Sequence, residues 1–303
     1  MSDRFFELID THVHFDMDDF DADRDALAAR SSLGEFPSIV DTSGQMADIR
    51  LVAAIDPGIT AASSVRAVEL TRKYSFLYAA AAIHPNYTAE AQESDWKILK
   101  SLVTEPKVVA VGETGLDRYW DDSPFETQKA WFLRHIELAK QYDLPIIIHC
   151  REAIDDLLPI LRQVREQERL GQSVGKPLRG TIHSFSEGPE AARELVSMGF
   201  YLGFTGSVTY TQKKFAPLWE AARSIPLDRF LLETDSPFLI PHPFRGKIER
   251  NEPLMCTFVA RRLAELRSAT VGEILQRSTA NARRLFTRIA PCADSGDGEL
   301  DHD

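Results

Sequence analysis

Histidine and acidic side chains follow five apolar runs of this sequence, and these residue types bind divalent cations in proteins. One run, residues 108–111, is followed by Gly112 and then by Glu113. The side chains that follow the other four runs are His12 and His14, His149, His183, and Glu233 with Asp235. We predict that the ends of these runs meet at one metal centre, with Glu113 between two cations.

The predicted ligand set consists of His12, His14, Glu113, His149, His183 and Asp235. It contains half of the eight histidines of the chain. One catalytic zinc ion binds three protein ligands and keeps a position open, so this larger set indicates two divalent metal ions. Zn²⁺ or Mn²⁺ suits a set rich in imidazole, and Mg²⁺ is the less favoured of the three. The alternative for each histidine is a structural role, with its ring nitrogens hydrogen-bonded inside the protein.

Other polar residues near the ends of these runs are given supporting roles. Asp10 and Glu233 are interpreted as either supporting the ligands from behind or purely structural, and Asp10 could orient a ligand imidazole by accepting its second N–H. His84 ends a further strand and is either a substrate contact or a structural residue. His135 lies within a predicted helix and His302 near the end of the chain, and neither is expected to function.

The elements that must bring these side chains together alternate between strand and helix. Apolar runs predict strands at residues 5–10, 51–55, 76–83, 108–111, 144–148, 179–182, 200–204 and 229–232. This alternation predicts a single-domain α/β fold, a (β/α)8 TIM barrel, with its active site at the carboxyl ends of the strands. A doubly wound open sheet is the alternative, but no glycine-rich phosphate-binding motif opens a helix. Ser123 and Thr270 are predicted to cap the helices that follow them.

Two internal segments and the end of the chain depart from this alternation. Residues 30–50 lack periodic apolar spacing and are interpreted as a long irregular connection, either a surface insertion or a lid over the site. The acidic run 16–25 is interpreted as a solvated loop leading into a helix, because it lacks the glycine and spacing of a calcium loop. Residues 1–290 form the predicted barrel domain, and residues 291–303 are predicted to be an acidic, disordered tail.

The composition is that of an ordinary globular protein, with 44% hydrophobic and 27% charged residues in a chain of 303. The formal net charge of −11 argues against binding polyanions over the whole surface, but it allows a local cationic cleft. Three widely spaced cysteines form no disulfide framework, which favours a reducing, cytoplasmic setting. We expect no signal peptide, no membrane span and no obligate protein partner.

Nine stretches, spread over nearly the whole chain, form one ordered pattern. Those with predicted ligands are DTHVHFD at 10–16, VGETGLDRYW at 111–120, PIIIHCREA at 145–153, TIHSFSEG at 181–188 and ETDSPFL at 233–239. The others are AIHPN at 82–86, FTGSVTY at 204–210, RNEP at 250–253 and NARRLF at 281–286. In this order they resemble the TatD family of metal-dependent deoxyribonucleases.

The resemblance implies a (β/α)8 barrel and a two-metal hydrolase. Position by position, it implies one metal ion held by His12, His14, Glu113 and Asp235, and another held by Glu113, His149 and His183. Three departures bear on substrate preference, and one is that the region 30–50 is longer than the family pattern. Asn86 stands where the family often has a histidine, and the loop after Asp235 is longer, with His242 out of register.

The predicted function is hydrolysis of phosphodiester bonds in DNA, with Asp235 and Glu113 as catalytic residues. The cations would lower the pKa of a water molecule, and Asp235 would accept its proton and later protonate the leaving group. His84, Arg151 and Arg245 are predicted to contact the substrate, so nucleic acid is the expected partner.

Further basic and aromatic residues near the ligands have two interpretations. Lys247 and Arg250 could hold neighbouring phosphates, or they could be solvated or paired with acidic neighbours. Tyr119 and Trp120 could stack on a base, whereas core packing is favoured for Phe238. The alternative function is a metal-dependent ester, lactone or acyl-amide hydrolase, and a catalytically inactive binding protein is the third.

Overall fold

Parallel strands form a barrel in which each strand lies beside the next one along the chain. The computed structural model describes residues 5–33, 39–40 and 46–290. The strands are β1 (Phe5–Asp10), β2 (Ile39–Val40), β3 (Met46–Pro57), β4 (Leu77–Ala81), β5 (Val108–Asp117), β6 (Ile146–Arg151), β7 (Gly180–Ile182), β8 (Tyr201–Phe204) and β9 (Phe230–Leu232). The hydrogen-bonded order is β1-β3-β4-β5-β6-β7-β8-β9, and β2 pairs with β3 in the antiparallel sense. The predicted (β/α)8 TIM barrel is confirmed.

Helices connect the strands and pack on the outside of the sheet. They are α1 (Arg24–Leu33), α2 (Ala61–Lys73), α3 (Glu93–Leu102), α4 (Phe125–Tyr142), α5 (Ile154–Arg169), α6 (Pro189–Ser197), α7 (Ala216–Ser224), α8 (Cys256–Arg267) and α9 (Val271–Leu285). Phe132 in α4 and Leu161 in α5 are fully buried in the main apolar core. All residues of β4 and β5 are buried as well. Burial on both faces is the usual condition of a parallel strand, and it explains the continuous apolar runs of the sequence.

The barrel closes between the segments that follow its first and last strands. Thr11 donates its backbone N–H to the carbonyl of Leu232 at 3.1 Å, and Asp235 donates to that of His12 at 2.9 Å. An isolated parallel bridge joins Val13 to Ser236. These bonds place two predicted ligand segments side by side, although more than half of the chain separates them.

The interpretation of residues 30–50 as an irregular connection is wrong where the structure describes them. Helix α1 continues to Leu33, and β3 begins at Met46, where its first residues pair with β2. Residues 34–38 and 41–45 lie outside the described part of the chain, as does the predicted tail, 291–303. The acidic run is solvated only in part, because Asp16 is buried whereas Asp18 and Asp19 are exposed.

Of the two predicted helix caps, one is confirmed and one is wrong. The side chain of Thr270 accepts the backbone N–H of Glu273 at the start of α9. Ser123 does not cap α4. Its hydroxyl instead donates to the carbonyl of Asn86 at 2.9 Å and accepts the N–H of Ala89. Ser123 therefore holds the segment that follows β4, beside His84. Among the described helices, none combines the length and hydropathy that a membrane crossing requires.

Candidate metal centre

The side chains of the predicted ligand set lie together at the carboxyl ends of the barrel strands. They are His12 and His14 after β1, Glu113 in β5, His149 in β6, His183 after β7 and Asp235 after β9. All except His12 line an open cleft of about 460 Å³. His12 is fully buried beside them. The parallel barrel brings these residues to one rim, as the strand-end pattern predicted.

Glu113 lies between two groups of histidines and faces each with a different oxygen. Its Oε2 is 3.3 Å from His12 Nε2 and 3.9 Å from His14 Nε2. Its Oε1 is 2.8 Å from His149 Nδ1 and 4.0 Å from His183 Nε2. The register of β5 shifts between Val111 and Thr114, so Glu113 stands in an irregularity at the rim. One carboxylate can therefore serve two cation positions.

Asp235 approaches three of the same histidines from the other side. Its Oδ1 lies 3.5 Å from His14 Nε2, 3.6 Å from His183 Nε2 and 3.8 Å from His12 Nε2. Among the residues that the structure describes, three groups have ligand atoms within 4.8 Å of one another: His12, His14 and Asp235; His12, Glu113 and His183; and His84, Glu113 and His149. Side chains at these distances can close on a cation with small adjustments.

Two of the histidines are oriented by carboxylates on the side away from Glu113. His149 Nε2 lies 2.8 Å from Asp117 Oδ2, and His183 Nδ1 lies 2.9 Å from Glu233 Oε2. A carboxylate accepts a hydrogen bond, so the outer nitrogen of each neutral ring carries the proton. The inner nitrogen then presents its lone pair to the centre, which is the arrangement of a histidine that binds a metal ion.

His12 and His14 lack such partners. Within the described residues, both ring nitrogens of His12 and Nδ1 of His14 are buried without a hydrogen-bond partner. An unpaired buried polar atom costs on the order of 1–3 kcal/mol. A cation bound through Nε2 would use the lone pairs that converge on Glu113 and Asp235. The donor set therefore fits a divalent metal ion, with borderline ions such as Zn²⁺ and Mn²⁺ preferred over Mg²⁺.

The electrostatics of the site differ from one histidine to the next. Burial opposes protonation of His183, but the carboxylates of Glu233, Asp235 and Glu113 outweigh it and raise its pKa to about 10. Burial lowers the pKa of His84 to about 3, and His149 beside it adds to the effect. Burial would raise the pKa of Asp235, but the neighbouring histidines hold it below the ordinary value. The acid is therefore ionised at neutral pH.

Glu113 is ionised for the same reason. Burial opposes its charge, but His84, His12 and His183 lower its pKa well below the ordinary value. The centre thus combines two ionised carboxylates with imidazole nitrogens in a buried setting. Protons and cations compete for these groups.

The carboxylates around the ligands do not all act as the sequence suggested. Glu233 is fully buried and orients His183, and Gly203 leaves room for it, because a Cβ there would lie 2.1 Å from Glu233 Oε1. The expectation that Asp10 accepts an imidazole N–H is wrong. Asp10 accepts the backbone N–H groups of His12 and Thr234 instead, and so it fixes the two ligand segments where the barrel closes.

Asp117 is the residue near the centre that sequence reasoning missed. It lies four positions after Glu113 in β5, and alternate residues of a strand share a face. Its Oδ1 also accepts the backbone N–H groups of Tyr119 and Trp120. The even spacing from Glu113 was the available signal, but nothing local indicated that Asp117 would reach His149 on the neighbouring strand.

His84 and His135 have different surroundings. His84 lines the cleft, and its Nε2 lies 3.2 Å from His149 Nδ1. His135 lies in α4, away from the cleft, and its ring contacts Trp131, Thr114 and the N–H of Ile83. His135 is therefore a structural histidine that joins α4 to β5 and to the segment after β4.

Two arginines predicted to contact substrate stack on aromatic rings, and Arg151 also lines the cleft. The guanidinium of Arg151 lies 3.8 Å from the ring centroid of Tyr119 and 5.7 Å from that of Trp120. Arg245 lies 4.3 Å from the ring centroid of Tyr210. Within the described part of the chain, neither is paired with a carboxylate. Both guanidinium groups therefore keep donors for an anion.

Arg250 follows the second of its two interpretations, pairing with acidic residues, whereas Phe238 differs from the core packing that was favoured for it. Arg250 pairs with Asp23 at 2.5 Å and with Glu252 at 3.3 Å, so its charge is neutralised within the protein and is not offered to phosphate. Phe238 is not a core residue, because it is 50% exposed and its ring stands 6.1 Å from that of His14. Tyr119 and Trp120 are also about half exposed, at 49% and 48%. Aromatic faces are thus available at the mouth.

Comparison with known proteins matches almost the whole barrel. A family model described as TatD-related DNase matches residues 9–287. The metal-dependent hydrolase YabD of Bacillus subtilis (strain 168) is 41% identical over 279 residues, covering 92% of this chain and 98% of the relative. The metal-dependent hydrolase YcfH of Escherichia coli (strain K12) is 33% identical, covering 92% of this chain and 95% of the relative. The crystal structure of YjjV, a TatD homologue from E. coli K12, has a TM-score of 0.79 and 31% identity, covering 96% of this chain and all of the other.

Proposed function

The chain belongs to the family of TatD-related DNases and is a metal-dependent hydrolase, and from this premise we propose that it hydrolyses phosphodiester bonds of DNA. The observation that carries the proposal is the position of Glu113, which has histidine nitrogens on both sides of one carboxylate. A site for two cations suits phosphoryl displacement, because the attacking and the leaving oxygen both need charge stabilisation.

In this proposal the ligands divide into two sets that share Glu113. His12, His14, Glu113 and Asp235 hold one cation, and Glu113, His149 and His183 hold the other. The hydrogen bonds on the far side of the rings support the second set, because Asp117 and Glu233 accept the outer N–H groups of His149 and His183 and leave the inner nitrogens facing the cation position. The unpartnered nitrogens of His12 and His14 support the first set.

The bound cations would polarise phosphoryl oxygens and make a water molecule more acidic. Asp235 is the proposed general base, since its lowered pKa keeps a carboxylate ready to accept a proton from the attacking water. Its side chain is 15% exposed, against 4% for Glu113, so water from the cleft can reach it. Asp235 would later return the proton to the leaving oxygen. Glu113 is proposed to stay ionised between the two sets and to keep their positions fixed.

The mouth of the cleft supports a nucleic acid as the substrate. Arg151 and Arg245 are proposed to bind phosphates that neighbour the scissile one. Arg151 lines the cleft, and among the described residues neither guanidinium group is paired with a carboxylate. The exposed rings of Tyr119, Trp120 and Phe238 can stack on unpaired bases. A chain of net charge −11 would then bind its polyanionic substrate through this local region alone.

The test is to incubate zinc- or manganese-loaded protein with single-stranded DNA, duplex DNA, RNA and a panel of small esters, lactones and acyl amides. We expect DNA cleavage that a chelator abolishes and added metal restores, and that Asp235→Asn reduces by about 10²–10⁴-fold, the usual contribution of a general base. Ester turnover without any nuclease activity would replace the proposal with the ester hydrolase alternative. Metal-loaded protein that turns over no substrate would favour an inactive binding protein.

A further inference from the structure

His84 lies where a third cation position could be inferred from distances alone. Its Nε2 is 3.2 Å from His149 Nδ1 and 3.6 Å from Glu113 Oε1. The three side chains form one of the groups whose ligand atoms lie within 4.8 Å of one another. His84 also lines the open cleft, so both a cation and a substrate can reach it.

The outer nitrogen of His84 decides between these two partners. The backbone N–H of Asn86 donates to His84 Nδ1 at 3.2 Å, so Nδ1 is an acceptor and carries no proton. A neutral imidazole has one N–H, which must then be on Nε2. A protonated ring nitrogen has no lone pair for a cation. His84 therefore presents a hydrogen-bond donor to the centre.

The fold holds the backbone N–H of Asn86 in place. Asn86 belongs to the 3-10 turn Pro85–Tyr87, which begins directly after His84. The hydroxyl of Ser123 donates to the carbonyl of Asn86 at 2.9 Å and so ties this turn to the start of α4. The tautomer of His84 is thus set by a backbone N–H that the fold holds in place.

His149 and His183 have the opposite arrangement. Their outer nitrogens face the carboxylates of Asp117 and Glu233, at 2.8 Å and 2.9 Å, and these can only accept. In their neutral form these two rings can therefore give the lone pairs of their inner nitrogens to a cation, whereas the inner nitrogen of His84 is an N–H. The three imidazole rings around Glu113 thus differ in chemistry, because the outer nitrogen of His84 accepts a hydrogen bond whereas those of His149 and His183 donate one.

We propose that His84 is a catalytic hydrogen-bond donor, whose Nε2–H contacts an oxygen of the reacting phosphoryl group, and that it is not a metal ligand. In the absence of a cation this N–H faces His149 Nδ1 at 3.2 Å and Glu113 Oε1 at 3.6 Å. When His149 and Glu113 bind a cation, the His84 N–H is available to the substrate. Donors fixed in this way stabilise the charge that develops on phosphoryl oxygens in the transition state. The identity of the oxygen rests on the proposed function, but the tautomer and the absence of a metal bond do not.

The tautomer can be measured on the unmodified, zinc-loaded protein. Long-range ¹H–¹⁵N spectra of protein labelled with ¹⁵N-histidine distinguish protonated from unprotonated ring nitrogens, and the spectrum of His84→Gln assigns the signals. We expect a protonated Nε2 and an unprotonated Nδ1 for His84. A protonated Nδ1, or the signature of a zinc-bound Nε2, would overturn the proposal.

A second measurement compares His84→Ala with His149→Ala for zinc content per chain. We expect His84→Ala to keep the zinc content of the wild type and His149→Ala to lose zinc. On DNA, His84→Ala should lower kcat by about 10²-fold with little change in KM, as the loss of one transition-state donor does. His84→Gln, which keeps an N–H, should recover part of that loss. Zinc loss in His84→Ala equal to that in His149→Ala, or an unchanged kcat, would refute the role.

The outcomes separate this inference from the proposed function. If the wild type cleaves an ester and not DNA, the phosphodiester proposal fails, while the tautomer and the zinc contents still test His84. The kcat comparison is then made on that ester.

Discussion

The outer nitrogen of His149, Nε2, lies 2.8 Å from Asp117 Oδ2, and the inner nitrogen of the same ring lies 2.8 Å from Glu113 Oε1. Asp117 and Glu113 come from one strand, β5, and His149 comes from the next, β6. The ring is thus held between two carboxylates with different tasks, of which one fixes the tautomer and the other faces the cation site. Similar logic applies to His183 between Glu233 and the centre.

Asp117→Asn should weaken metal binding through His149. The amide oxygen can still accept from Tyr119 and Trp120, but the amide nitrogen that replaces Oδ2 cannot accept from His149. The ring would then favour the tautomer with its proton on Nδ1, which faces Glu113 and blocks the lone pair. We expect a loss of about 10–100-fold in metal affinity, measured by competition with a chelating dye, without loss of fold.

The matched control is Asp122→Asn, which changes an exposed carboxylate a few residues further along the chain. It should bind metal like the wild type. Equal metal affinity in Asp117→Asn and Asp122→Asn would show that Asp117 does not orient the ligand.

Gly203→Ala should disturb the centre without touching a ligand. A Cβ at this position would lie 2.1 Å from Oε1 and 2.3 Å from Oε2 of Glu233, so this carboxylate must move away from His183. We expect a destabilisation of about 1–3 kcal/mol, as for other overpacked cores, together with weaker metal binding. Thermal unfolding with and without zinc measures both. Gly188→Ala is the control, because the nearest neighbours of a Cβ at Gly188 would be 3.6 Å away. If the two variants bind zinc equally well, the Glu233 carboxylate does not need the space that Gly203 leaves.

Metal binding should release protons and become tighter as the pH rises. Neighbouring carboxylates raise the pKa of His183 to about 10 against the effect of burial, so the metal-free protein holds a proton there at neutral pH. A cation must displace that proton, and its apparent affinity should therefore increase up to about pH 10. Calorimetric titration in buffers of different ionisation enthalpy counts the protons released. A binding constant that stays the same across this range would contradict the assignment of His183.

The metal-free protein should show the opposite trend in stability. Because the folded pKa of His183 lies above its ordinary value of 6.5, the stabilising contribution of the protonated ring is complete below pH 6.5. It is lost as the pH rises towards 10. Chemical denaturation in the presence of a chelator should thus give a free energy of unfolding that falls between these values. Substituting His183 with Gln should remove this part of the pH dependence.

Arg151→Gln should weaken DNA binding in a salt-dependent way. The guanidinium stacks on Tyr119 beside the cleft, where it can contact a phosphate without first breaking an ion pair. Removing one phosphate contact should raise KM for DNA and reduce the slope of log KM against log salt by about one. Arg193→Gln on the outer helix α6 is the control, since Arg193 pairs with Glu190 away from the cleft. If both variants gave the same salt slope, Arg151 would not contact a phosphate of the substrate.

Several parts of the fold and site followed from local sequence patterns. Buried parallel strands appear as apolar runs, and the chemistry-bearing residues of a barrel lie where those runs end, so residues such as His12 and Glu113 could be placed at one rim. Patterns failed where a segment depends on a distant partner. Residues 46–50 lengthen β3 because β2 pairs with its first two residues and β1 pairs with the next three. Phe238 is exposed at the mouth although its type favours a core.

The sequence by itself therefore determined the fold class, the candidate ligands and their common location, because strand period and strand ends are local properties of the chain. Only the tertiary structure decided what each imidazole can do. The direction of a lone pair depends on the atom at the far side of the ring, and that atom belongs to Asp117 for His149, to Glu233 for His183 and to the backbone of Asn86 for His84. For His149 and His183 the contact joins different strands or strand ends, and for His84 it depends on how the chain turns after β4. No spacing rule in the sequence encodes these two kinds of contact, because they form only when the barrel closes and the segments at its rim pack together.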